Sequence, residues 1–104
     1  MASSTLPPLL DAARAALRIS AENKEFDAEI KTLIDAARRR MALAGVSSEV
    51  REDDTDPLVR LGAIVYVRAN FGLDNPEAER LGQSFEDILC QMALSGHYVA
   101  GEDL

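Results

Sequence analysis

Few side chains in this 104-residue chain have the types and spacing for bond-making chemistry. His97 is the only histidine and Cys90 the only cysteine. A general base or metal ligand needs a nucleophile or further ligands beside it. His97 comes just after Gly96, past a helix stop, with no such partners in the pattern, which points to a surface or cap role. Cys90 follows Leu89 on the stripe side of a helical segment, so a buried, inert thiol is expected. A reactive thiol needs an accessible, electropositive setting. A single cysteine cannot close an internal disulfide, which fits a reducing compartment. Asp53, Asp54 and Asp56 invite a calcium reading. They lack the alternating ligands, the glycine and the distal glutamate of a calcium loop. A solvated loop ending in an Asp56 helix cap accounts for them. Phosphate loops, paired-carboxylate signatures, nucleophile elbows and zinc spacings are also missing. The expectation is a non-enzymatic chain with no catalytic residues, no metal ligands and no cofactor.

Charge and composition narrow the remaining classes. Apolar residues make up 47% and charged residues 28%, a globular composition. Aromatics are 5% and tryptophan is absent, so the core must come from Leu, Ile, Val, Ala and Met. The net charge of −7 disfavours tight nucleic-acid binding. The start, MASSTLPPLL, lacks the basic and apolar regions of a signal peptide. No stretch approaches the roughly 18 apolar residues of a membrane span. The length suits a single helical domain over residues 1–104.

The elements that must position these groups are helices. Leu6, Leu10, Ala13 and Leu17 predict a helix over about 7–19, with Thr5 as its cap. Phe26, Ile30, Leu33, Ile34, Ala37, Met41 and Ala44 trace one stripe over about 24–44. Asn23 would cap that helix and Gly45 would stop it. Arg38, Arg39 and Arg40 crowd its last turns, where cations complement the helix dipole. Three consecutive arginines span most of a turn, so at least one should point outward, which makes a partner contact the alternative to the dipole role. Val46 to Thr55, "VSSEVREDDT", is a long acidic connection that either reaches a partner or moves, which makes Asp53 and Asp54 candidate contacts.

A third helix is expected over 57–70, behind an Asp56 cap and Pro57. Leu58, Val59, Leu61, Ile64, Val65, Tyr66 and Val67 leave it little polar face. Such a helix is central or meets another subunit. Gly62 within it suggests a close helix crossing. Leu81, Phe85, Ile88, Leu89 and Met92 predict a fourth helix over 76–94, capped by Asn75 and stopped by Gly96. Gly72 to Asn75 would form a tight turn pairing the last two helices. The fold class expected is all-α: a small four-helix bundle with a long loop between its second and third helices.

Three segments then carry a resemblance: "LLDAARAALRIS" (9–20), "IKTLIDAARRRM" (30–41) and "DPLVRLGAIVYVRANFGLDNPEAERLGQSFEDIL" (56–89). In this order, from about Leu9 to Tyr98, the chain resembles the head–tail connector proteins of tailed bacteriophages, also called adaptor or head-completion proteins. The resemblance implies a ring of about a dozen copies under the portal protein. Such a ring extends the DNA channel and docks the next connector or a tail-completion protein. Double-stranded DNA would pass through without specific binding, and no membrane is involved. The protein would sit at the portal vertex of the virion and, during assembly, in the host cytoplasm. Subunit or partner contacts would fall on the second and third helices, with Arg38, Arg39, Arg40 and Tyr66 as candidates beside Asp53 and Asp54.

Two other readings compete. A helix-turn-helix regulator would use the Gly72–Asn75 turn. Its recognition helix would carry Glu77, Glu79, Glu86 and Asp87 against Arg80, the wrong sign for a groove in DNA. A helical metal enzyme would need inward Glu and Glu-x-x-His pairs, and one histidine beyond the last helix does not supply them.

Overall fold

The computed structural model describes residues 7–99. Among them are five helices and no strand: α1 Leu9–Ala16, α2 Asp27–Leu43, α3 Ser48–Arg51, α4 Pro57–Asn70 and α5 Ala78–Ala93. The all-α expectation holds, with four longer helices and one single turn. Thr5 and Leu6, the expected first cap and first stripe residue, lie outside the described residues.

The helix ends follow local chemistry, and several differ from the apolar pattern. Leu17 and Ile19 extend the periodicity of α1, yet the helix closes at Ala16. Arg18 takes φ 65°, its N–H donates to the Ala15 carbonyl, and the Ile19 N–H donates to the Arg14 carbonyl. This is a Schellman closure with arginine where glycine is usual. The left-handed conformation costs a non-glycine residue about 1–2 kcal/mol. Arg18→Gly is therefore expected to raise stability by about 0.5–1 kcal/mol, after the added freedom of glycine in the unfolded chain. The denaturant midpoint should rise with its slope unchanged.

At the start of α2, Asn23 does not cap the helix. Its Oδ1 accepts from the Glu25 N–H at 2.9 Å, closing a turn, and the helix begins at Asp27. The far end is as expected: Gly45 takes φ 99°, with Gly45 N–H to Ala42 O and Val46 N–H to Met41 O. The connection 46–55 is less open than its polarity suggests. The Ser47 hydroxyl accepts from the Val50 N–H and starts the single turn α3.

α4 begins where the Asp56 carboxylate accepts from the Leu58 and Val59 N–H groups, at 2.9 and 3.1 Å. It packs against α1, α2 and α5, which accounts for its missing polar face. Gly62 is the close crossing: a Cβ there would lie 3.2 Å from Met41 Cε and 3.4 Å from Ile88 Cγ2. Gly72 at φ 84° turns the chain. Asn75 Nδ2 then donates to the Arg68 carbonyl at 2.6 Å, while its Oδ1 accepts from the Glu77 N–H at 3.0 Å. Asn75 thus ties the two helices together, and α5 starts at Ala78 rather than Pro76. α5 ends at Ala93, short of Gly96.

The long helices run up and down between two poles. At the turn pole, the Phe26 ring at the start of α2 meets Phe71 at the end of α4, edge to face with centroids 5.5 Å apart. At the loop pole lie the end of α2, α3, the start of α4 and the end of α5. There Val99 pairs antiparallel with Val46, and Arg60 Nη1 donates to the Pro7 carbonyl at 3.0 Å. The molecule is a slab of 45 × 36 × 19 Å.

Its core is one cluster in which Ile30, Ala37, Met41, Val59, Ala63, Val67 and Met92 are fully covered. Phe85 sits beneath them at 1% exposure. One charge is buried among these side chains. Arg14 is 3% exposed, and its guanidinium forks onto Asp27, Nε to Oδ1 and Nη2 to Oδ2, both at 3.0 Å. Nη1 donates to Asp11 at 2.8 Å. The two carboxylates satisfy the buried cation and pin the end of α1 to the start of α2.

Candidate interaction surface

The reactive residue types are dispersed. His97 is exposed, its ring edge-on to Tyr98. Cys90 is exposed too, correcting the expected buried thiol. It neighbours Leu89 in sequence, but it lines an open hollow between α5 and the end of α2. Among the described residues, no group of three or more His, Cys, Asp or Glu side chains converges as a metal site would require.

The three arginines of α2 take three different environments, because successive helical residues point about 100° apart. Arg38 turns inward. Its Nη1 donates to the Arg51 carbonyl at 2.6 Å, and its Nη2 lies 2.7 Å from Asp54 Oδ1. That last contact is an ion pair without hydrogen-bond alignment, so the buried Asp54 oxygen is held by charge alone. Arg38 and Asp54 together clamp α3 onto α2. Asp53 is engaged locally. Its carboxylate accepts from the Thr55 hydroxyl at 2.6 Å and the Thr55 N–H at 3.0 Å. These bonds lower its pKa below the ordinary aspartate value. Arg39 is exposed, with no carboxylate in ion-pair range among the described residues.

Arg40 and Tyr66 come together. Both pack on the same ring: Arg40 lies over Phe85 at 5.5 Å, and Tyr66 meets it edge to face at 4.8 Å. Arg40 Nη2 also donates to Glu86 at 2.6 Å, bridging α2 and α5. On one side of that bridge a groove of about 330 Å³ runs between Tyr66, Ala78 and Gly82. On the other side, a groove of about 350 Å³ runs between Leu43, Ala44, Leu89, Cys90 and Ala93.

The apolar part of this surface was not singled out from the sequence. Leu43 is 69% exposed and Leu94 85%. Both sit off the apolar stripes of α2 and α5, and a leucine off its stripe is the readable signal of a helix carrying a second apolar contact. Leu61 on α4 is also exposed, and Leu73 at the α4–α5 turn stands completely clear of the protein.

Near the loop pole, the Tyr98 hydroxyl donates to the Asp56 carboxylate at 3.0 and 3.1 Å, tying the segment after α5 to the cap of α4. Burial, followed by this anionic partner, raises the Tyr98 pKa. The backbone reinforces the tie through Ser47 N–H to Tyr98 O. The surface therefore has helical walls, an apolar floor and charged rims.

A family model described as phage connector protein matches residues 9–99, from the first residue of α1 to the Val46–Val99 bridge. The chain belongs to the phage connector protein family. The family expected from the three sequence segments is thus the one found, over nearly the same span. No curated protein and no solved structure matches the connector. As a member of a structural family, the connector is a component of the phage particle that joins other virion components. No helix among its described residues is long and apolar enough to cross a membrane.

Proposed function

We propose that the connector assembles as a ring of about a dozen copies under the portal protein, by repeated heterologous contacts closed through rotation. In this reading the ring sits at the portal vertex, extends the DNA channel and offers a docking surface to the next connector or a tail-completion protein. It makes and breaks no covalent bonds. The observation that carries the reading is the apolar surface left on a connector-family chain: Leu43, Leu61, Leu73 and Leu94 are each at least half exposed. A connector that must hold neighbours has a use for such a surface. The net charge of −7 fits a conduit past which double-stranded DNA slides, since a basic lumen would grip phosphates. Arg39, Arg40 and Tyr66 are the contact candidates that remain at or beside the grooves. Asp53 offers its exposed side at the loop pole, and Arg38 and Asp54 support the surface from beneath.

The test is solution mass, by size exclusion with light scattering over a wide concentration range. A discrete species of about a dozen subunits is expected. A chain that stays monomeric at every concentration would overturn the ring. A stable dimer that retards a DNA fragment would replace it with the helix-turn-helix regulator.

A further inference from the structure

We infer that the α4–α5 turn of one connector seats in the α2–α5 groove of the next copy. This inference rests on the proposed ring and names its subunit contact. The turn is a rigid knob. Gly72 permits its left-handed step, Asn75 braces it through bonds to Arg68 and Glu77, and Leu73 projects from it with its side chain fully exposed. The next residue, Asp74, is exposed and has no ion-pair partner among the described residues.

The groove is the complementary feature. Leu43, Ala44, Leu89, Ala93 and the exposed Cys90 line a cleft of about 350 Å³, closed on one side by the Arg40–Glu86 ion pair. Arg39, four residues before Leu43 and on the same side of α2, is an exposed cation without a carboxylate in range among the described residues. Seating Leu73 there covers leucines that a monomer leaves in water and brings Asp74 toward Arg39. The pairing is complementary in charge: the knob carries an unpaired acid, and the unpaired base Arg39 stands beside Leu43 on the flank of α2 next to the groove.

Placement also fits. The knob lies at the turn pole, while the groove lies on the C-terminal halves of α2 and α5, toward the loop pole. A contact between two different patches of one chain is heterologous, and it propagates from copy to copy until rotation closes it.

The sole cysteine makes the contact directly testable, because Cys90 already lines the groove. In Leu73→Cys each copy carries a thiol on the knob and another in the groove. Mild oxidation of the assembled protein should give a ladder of covalent multimers on a non-reducing gel. The same sample with Cys90→Ser added should give none. Light scattering on that sample separates the two levels of the argument. An assembled species with the Cys90-dependent ladder supports the contact. An assembled species with no ladder, or with one that survives Cys90→Ser, overturns the contact and leaves the ring standing. A strict monomer removes both. Charge exchange gives a second reading without cysteine chemistry. Arg39→Glu should weaken assembly by roughly tenfold, and Asp74→Arg added to it should restore assembly. Failure of the double variant to recover, with both singles folded, also overturns the contact.

Discussion

Phe85→Ala is expected to remove a large share of the stability of the connector. The ring is 1% exposed and lies where three helices meet: α5 carries it, Tyr66 of α4 meets its face, and Arg40 of α2 lies over it. Truncating a buried phenylalanine costs about 3–5 kcal/mol, through lost transfer energy and the cavity left behind. A chain of this size has roughly 5–15 kcal/mol in total. Melting should fall by on the order of 15–30 °C. The cavity cannot close easily, because Gly62 already holds α4 hard against Met41 and Ile88. The exposed Leu61→Ala is the control and should stay within about 0.5 kcal/mol of the parent. Urea denaturation of both variants decides the matter. A Phe85→Ala midpoint close to that of Leu61→Ala would mean that α5 is not anchored through this ring.

Asp27→Ala should give the largest loss among polar substitutions, with a pH signature of its own. Removing the carboxylate strands a guanidinium that is 3% exposed and leaves it only Asp11. The hydrogen bonds from Arg14 are the main cause holding the Asp27 pKa below the ordinary aspartate value of about 4. A carboxylate with a lowered folded pKa stabilises the protein fully above its unfolded pKa. That stabilisation fades as pH falls through the folded value. The gap in melting temperature between the parent and Asp27→Ala should therefore be constant from neutral pH to about pH 5 and shrink below about pH 4. Comparing the two curves isolates Asp27 from Asp53 and Glu22, whose pKa values are lowered as well. A gap unchanged down to pH 2 would mean that the fork does not form in solution. Replacing both partners, with Arg14→Met and Asp27→Leu, should recover part of the loss, since no charge is then left buried.

What could be read in advance depended on whether the decisive chemistry was local. α4 was legible at both ends, because Asp56 and Pro57 start it and the Gly72 turn follows it. The close crossing at Gly62 was legible too, since a mid-helix glycine asks for a packing reason. The end of α1 was not. Its closure runs through a left-handed Arg18, adopted so that Ile19 can fold back onto the core, and no glycine marks it. α3 hid inside an acidic run read as an open connection, and its Ser47 cap shows only once the chain is folded. The surface was half legible for a similar reason. Three adjacent arginines were plainly present, but their fates depended on where the Arg51 carbonyl, Asp54 and Glu86 arrive in space. Tyr66 and Arg40 were singled out separately, and only the shared Phe85 ring joins them.

The loop pole gathers both outermost described residues. Pro7 is held there by Arg60, and Val99 by Val46. A fluorophore or gold cluster attached at Pro7 or at Val99 would leave the bundle from the same side. The opposite pole, with its Leu73 knob, would stay unencumbered. In an imaged particle the two labels should mark one shared rim of the connector layer, so either is enough to tell which way up each subunit stands.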